Sequence, residues 1–115
     1  MKLSEIRDIL SATVLCGADR LDLEVRAACG SDFMSDVLAY VKNQAVLLTG
    51  LVNPQVVRTA DMMDMKCIVF VRGKRPTDDM LALAEDRGMV IMATALPMYP
   101  ACGKLYHSGL RGSGV

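Results

Sequence analysis

Three apolar runs recur at a fixed interval, and that interval leaves the chain few architectures. They are Ala45-Val46-Leu47-Leu48-Thr49, Cys67-Ile68-Val69-Phe70-Val71 and Met89-Val90-Ile91-Met92-Ala93-Thr94, starting 22 residues apart. Each run is apolar at successive positions, so both faces of each strand must be covered. Parallel strands sandwiched between helices have this pattern. Twenty-two residues hold one strand, one helix and two short turns, the repeating unit of an α/β sheet. The chain is therefore expected to form a three-layer α/β/α sandwich around a mostly parallel sheet. Such sheets hold ligands beyond the carboxyl ends of their strands.

The 115 residues suit one domain. A chain of this length buries roughly two thirds of its unfolded surface, enough for a core without staples. Thirteen basic residues balance thirteen acidic ones. A neutral chain supplies no basic field for nucleic acid or an anionic membrane, so neither is an expected partner. It also lacks charge repulsion between copies, which favours a homodimer. The start, Met1-Lys2-Leu3-Ser4-Glu5-Ile6, has an early acid and no apolar stretch of leader length. No apolar run approaches the ~20 residues that span a bilayer. The expectation is a cytoplasmic protein with reduced cysteines.

Along the chain, Ser4 is placed to cap a first helix with Ile6, Ile9 and Leu10 on one side. Thr13–Cys16 and Glu24–Cys29 read as strands, the second less buried because it carries two charges. After Gly30-Ser31-Asp32, the spacing of Met34, Val37, Leu38 and Val41 makes one helical stripe. Asn53-Pro54 opens a third helix, buried along Val56, Val57, Ala60 and Met63. A fourth runs from near Thr77 to Arg87-Gly88, acids first and base last. Met98, Ala101, Cys102 and Leu105 mark a fifth. The domain is expected over residues 1–110, with the Gly-rich tail from Gly109 fraying and residues 111–115 flexible.

The candidate site lies where these strands end. Thr49-Gly50-Leu51-Val52-Asn53-Pro54 joins a central strand to a helix N-terminus, whose amides suit an anion or phosphate. It is neither G-x-G-x-x-G nor a P-loop, and on these residues alone a plain turn with a helix cap is the favoured reading. Arg72-Gly73-Lys74-Arg75 leaves the next strand at the same edge, with three cations in four residues. Gly30-Ser31-Asp32 and Thr94 complete that rim if the strands are parallel. The expected ligand-binding residues are Ser31, Asp32, Thr49, Gly50, Asn53, Arg72, Lys74 and Thr94.

Other chemistry has less support. Cys16, Cys29, Cys67 and Cys102 form no C-x-x-C pair, and His107 is the sole histidine. Metal and cluster sites draw at least two ligands from one short loop, so these cysteines read as small core hydrophobes. Cys102, near a helix start, is the one thiol a dipole would acidify. No paired carboxylates, nucleophile elbow or H-E-x-x-H occurs, and the chain reads as non-catalytic, with no cofactor and no metal. Nine methionines are a surplus for this length. Met62, Met63 and Met65 cannot all face one way, so at least one is expected outside the core, in a dimer or partner interface.

Beyond these features, the chain resembles the DRTGG domain family over about residues 1–110. The matching stretches are Gly30-Ser31-Asp32-Phe33-Met34-Ser35-Asp36-Val37-Leu38-Ala39-Tyr40, Val46-Leu47-Leu48-Thr49-Gly50 and Ala101-Cys102-Gly103-Lys104-Leu105-Tyr106. Leu21-Asp22-Leu23-Glu24-Val25 is similar to the start of the related amino-terminal domain of HPr kinase. The resemblance implies an α/β/α domain that regulates rather than catalyses, and that dimerises or senses small ligands. The leading expectation is a homodimerising module whose ligand is a small anion such as a nucleotide, held at the strand-end rim. The resemblance also implies an alternative, an accessory role in iron-hydrogenase-type redox machinery through protein contacts. The Asp-Arg that names the family would follow Thr49-Gly50, where this chain has Leu51-Val52-Asn53-Pro54.

Overall fold

A computed structural model describes residues 1–40 and 44–112. In chain order the elements are α1 (Leu3–Leu10), β1 (Thr13–Cys16), a 3-10 turn (Ala18–Arg20), β2 (Ala27–Gly30), α2 (Met34–Tyr40) and β3 (Ala45–Thr49). Then come α3 (Pro54–Met62), β4 (Cys67–Phe70), α4 (Asp78–Asp86), β5 (Val90–Ala93) and α5 (Met98–His107). The strands form one five-stranded sheet in the order β1-β5-β4-β3-β2. β2, β3, β4 and β5 are parallel, and β1 joins β5 antiparallel.

Both faces of the sheet are dry, which is why the strands have no polar alternation. Leu47, Ile68, Phe70 and Ile91 face Val37, Val56, Val57, Ala60, Met80 and Ala84 from α2, α3 and α4. Val46, Leu48, Val69, Val90 and Met92 face Leu3, Ile6, Leu10, Ala101 and Leu105 from α1 and α5. The result is the expected three-layer sandwich. Its two cores are dominated by side chains with little or no exposure.

The 22-residue beat applies only from β3 onward. Between β1 at one edge and β2 at the other, the chain crosses the sheet over residues 17–26. Gly17 starts this passage at φ 82°, and a Cβ there would lie 2.8 Å from the Met89 carbonyl oxygen. Backbone cannot yield as a side-chain tip does, so the crossing needs glycine at this position.

Several boundaries differ from expectation. The second strand starts at Ala27 rather than Glu24. Val25 is buried with its N–H on the Met1 carbonyl, Glu24 bridges Lys2, and the ladder to β3 begins when Arg26 and Ala27 both donate to the Gln44 carbonyl. The first helix starts at Leu3, before Ser4, because Leu3 is fully buried and the Lys2 amide is closed by the Glu5 carboxylate at 3.0 Å. Asn53 precedes α3 as expected, but its side chain makes no capping bond; Thr77 does cap α4, accepting from the Met80 amide at 3.3 Å. On α2, Val37 is buried and Leu38 points outward. Val41 of the expected stripe lies outside the described residues.

The carboxyl end is more engaged than its glycines implied. Leu110 is buried, the Arg111 carbonyl accepts from Ala28 at the β2 edge, and the Arg111 guanidinium stacks on Tyr106 at 3.9 Å. One apolar side chain and one edge hydrogen bond fasten residues 110–111. Residues 113–115 of the expected flexible tail lie outside the described residues.

Candidate functional site

Parallel pairing sets Thr49 beside Phe70 and Phe70 beside Ala93, so β3, β4 and β5 end on one rim; Gly30 of β2 sits beside Leu48. The turns that leave these strands therefore meet. Val71 donates to the Thr49 carbonyl at 3.0 Å, and Gly73 donates to the Thr94 carbonyl at 3.0 Å. The turns at 49–53 and 72–74, distant in sequence, are neighbours.

Asp32 is the centre of this rim. Its Oδ1 accepts from the Gly50 amide at 2.7 Å and from the Thr49 hydroxyl at 3.1 Å. Its Oδ2 lies 3.7 Å from Arg72 Nη2, with the Asp32 side chain 43% and the Arg72 side chain 50% exposed. Two protein donors thus fix one carboxylate oxygen while the other faces solvent and a cation. An ion pair this exposed contributes at most about 1 kcal/mol, so the anchoring comes from the two hydrogen bonds.

Local backbone chemistry places each group. The Ser31 hydroxyl accepts from the Phe33 amide at 3.0 Å and donates to the Phe33 carbonyl at 3.2 Å, closing a tight loop around Asp32. Thr49 is completely buried, and its Oγ1 also accepts from the Leu51 amide at 3.1 Å. Arg72 and Gly73 have φ of 59° and 70°, and Lys74 donates back to the Val71 carbonyl at 3.1 Å. Positive φ at both central residues is the signature of a type I′ turn. A non-glycine residue in this region costs of order 1 kcal/mol. The same turn brings the Arg72 guanidinium back over Gly50, where a Cβ would overlap Nη2 and sit 3.0 Å from Cζ. Glycine at 50 leaves room for that guanidinium.

The remaining expected residues play different parts. Thr94 reaches the rim, but its buried hydroxyl donates to the Leu10 carbonyl at 2.8 Å and ties down the end of α1. Asn53 Oδ1 is buried and has no hydrogen-bond partner among the described residues. Lys74 stands exposed on the outer turn. Of the eight, Asp32, Thr49, Gly50 and Arg72 converge, Ser31 supports Asp32, and Thr94 is committed to the fold. An acid–base pair therefore flanks Gly50 although the family's Asp-Arg does not follow it. Asp32 comes from the β2–α2 turn and Arg72 from the β4–α4 turn.

Sequence reasoning missed a second polar cluster at the opposite rim. Cys16 Sγ donates to Glu85 Oε2 at 3.1 Å, and Arg20 donates to the Met89 carbonyl at 3.2 Å. No short-range motif links these residues. Burial and then the Glu85 carboxylate push the Cys16 thiol up to about 11. Burial also raises Cys67, Cys29 and Cys102, so the helix start near Cys102 does not acidify its thiol. Among the described residues, no three His, Cys, Asp or Glu side chains converge as a metal site, and no helix is long and apolar enough to cross a membrane. Of the clustered methionines, Met62 is 70% exposed and Met65 is fully buried.

Fold and rim together define a three-layer α/β/α domain with a polar junction at the carboxyl ends of its strands. The chain belongs to the DRTGG domain family, whose model matches residues 5–107. No curated protein matches the sequence. Among solved structures, it is similar to the CBS and DRTGG domains of the regulatory region of Clostridium perfringens pyrophosphatase, solved with the activator diadenosine tetraphosphate. The TM-score is 0.75 at 14% identity, a likeness of fold. The match covers 93% of this chain and 46% of the pyrophosphatase chain, so this protein spans about half the length of that structure.

Proposed function

We propose that this protein is a non-catalytic regulatory module that senses a small anionic ligand at the rim around Asp32, Gly50 and Arg72. The observation that carries this reading is the junction itself. A strand-end turn, an oriented carboxylate and a guanidinium meet there, half exposed, with Lys74 on the adjoining turn. Family membership and the fold likeness to a regulatory region that binds a nucleotide activator support it. Binding would act by differing affinity for two states of the rim or of a partner surface. Calorimetry and thermal shift with millimolar ADP, ATP and GDP test the reading; heat of binding and a raised Tm are the expected result. No heat and no shift with any of them would remove it.

Self-association belongs to the same reading and rests on neutral charge and the exposed Met62. Sedimentation velocity should show a mass that rises with concentration toward a dimer. A monomer mass at every concentration would count against it.

A further inference from the structure

We infer that the ligand of this rim carries a hydroxyl group beside its phosphate, as a ribose phosphate does, and that Asp32 holds the hydroxyl while Arg72 and Lys74 face the phosphate. This inference rests on the ligand-sensing reading above and names its ligand class.

The argument begins with which acceptor is free. Asp32 Oδ1 is occupied by the Gly50 amide and the Thr49 hydroxyl, so the protein's own carboxylate fills the amide position that a phosphate would otherwise take. Oδ2 is 3.7 Å from the nearest Arg72 nitrogen, beyond hydrogen-bond reach, and the side chain is 43% exposed. An ionised carboxylate only accepts. A ligand atom that settles on Oδ2 must therefore bring a hydrogen. A fully ionised phosphate group brings none, and any phosphate would meet like charge. A hydroxyl brings one and forms a short, charge-assisted bond.

The cations then give the ligand a direction. Arg72 lies beside Asp32 over Gly50, and exposed Lys74 follows two residues along the same turn. The rim thus sets one carboxylate beside a turn that carries two cations. A molecule with hydroxyl donors at one end and a phosphate at the other matches that pairing. α/β sheets of the dinucleotide-binding type use an acidic residue at a strand end for ribose hydroxyls in the same way. The left-handed backbone at Arg72 and the absent Cβ at Gly50 both serve to keep the guanidinium next to the carboxylate.

The test uses the whole chain and four probes in calorimetry: ADP, 2′,3′-dideoxy-ADP, ribose 5-phosphate and inorganic pyrophosphate. Loss of a hydrogen bond to a charged group weakens binding by about tenfold or more. ADP should bind, dideoxy-ADP should bind at least about tenfold more weakly, and pyrophosphate should be weaker than ribose 5-phosphate. Equal affinity for ribose 5-phosphate and ADP would identify free sugar phosphates as the source; a clear preference for ADP would identify nucleotides. Asp32→Asn keeps an acceptor for Gly50 but turns the outer oxygen into a donor. A hydroxyl can still accept from that donor but without charge assistance, so the difference between ADP and dideoxy-ADP should narrow and pyrophosphate binding should stay equal or tighten, with circular dichroism verifying the fold. Dideoxy-ADP or pyrophosphate binding the native chain as tightly as ADP would overturn the inference and leave the anion reading standing. Failure of all four probes to bind would overturn both.

Discussion

Replacing Asp32 with alanine tests the joint that makes the rim one structure. The substitution removes an acceptor from two donors, the Gly50 amide at 2.7 Å and the Thr49 hydroxyl at 3.1 Å. Both donors belong to buried residues, Gly50 and the fully buried Thr49, so each loses its partner without a ready solvent replacement. A buried polar group left unpaired costs about 1–3 kcal/mol, and a hydrogen bond to a charged group contributes about 1.5–3 kcal/mol. The ion pair with Arg72, at 3.7 Å and half exposed, adds less than about 1 kcal/mol. Asp32→Ala should therefore cost about 2–4 kcal/mol in urea unfolding with an unchanged m value. For a domain of this size that lowers Tm by roughly 10 °C. Asp32→Asn, which keeps the inner acceptor, should cost about 1 kcal/mol. A double-mutant cycle with Thr49→Val should show coupling of at least about 0.5 kcal/mol. If Asp32→Ala shifts stability by less than about 0.5 kcal/mol, the carboxylate does not anchor the β2 and β3 turns, and the site argument fails with it.

Three further outcomes follow from the same geometry. Gly50→Ala places a methyl where the Arg72 guanidinium lies; because that group is the tip of a flexible side chain, stability should fall by less than about 1 kcal/mol while ADP binding weakens. Met65→Ala should cost about 2–5 kcal/mol in denaturant, whereas Met62→Ala should leave unfolding unchanged and lower any concentration-dependent mass in sedimentation. Met65, fully buried, is thus a core residue and not part of a partner surface. Alkaline pH should destabilise the fold: the Cys16 thiol is raised from 9.0 to about 11, so the unfolded chain loses its proton first. That stability is complete below pH 9 and drains away as pH rises toward 11, by roughly 2–3 kcal/mol, and Cys16→Ala should make the Tm profile shallower in that window without levelling it, because the raised Cys29, Cys67 and Cys102 thiols lose stability there too.

What could be read in advance followed from local pattern. β3 at Ala45–Thr49 and β1 at Thr13–Cys16 match their expected bounds, and α4 starts next to Thr77 as expected. Strands wet on neither face must be apolar throughout, and helix starts have short-range chemistry. Where burial depends on distant partners, pattern misled: β2 starts late because Val25 and Glu24 bond to Met1 and Lys2, and Leu38 faces outward on an expected inner stripe.

The amino-acid order by itself determined a repeating strand–helix unit, two-sided burial and therefore a layered sheet whose strands end on one rim. It also supplied each polar residue of that rim. Only the tertiary structure decided that β1 runs against β5 at one edge while β2 takes the other, since both strands lie outside the 22-residue repeat. Only it decided that Asp32 meets Gly50 and Arg72 while Thr94 turns inward to Leu10. The reason is range: hydrophobic period and turn chemistry act over a few residues, whereas the partner of a polar side chain is set by which strands become neighbours.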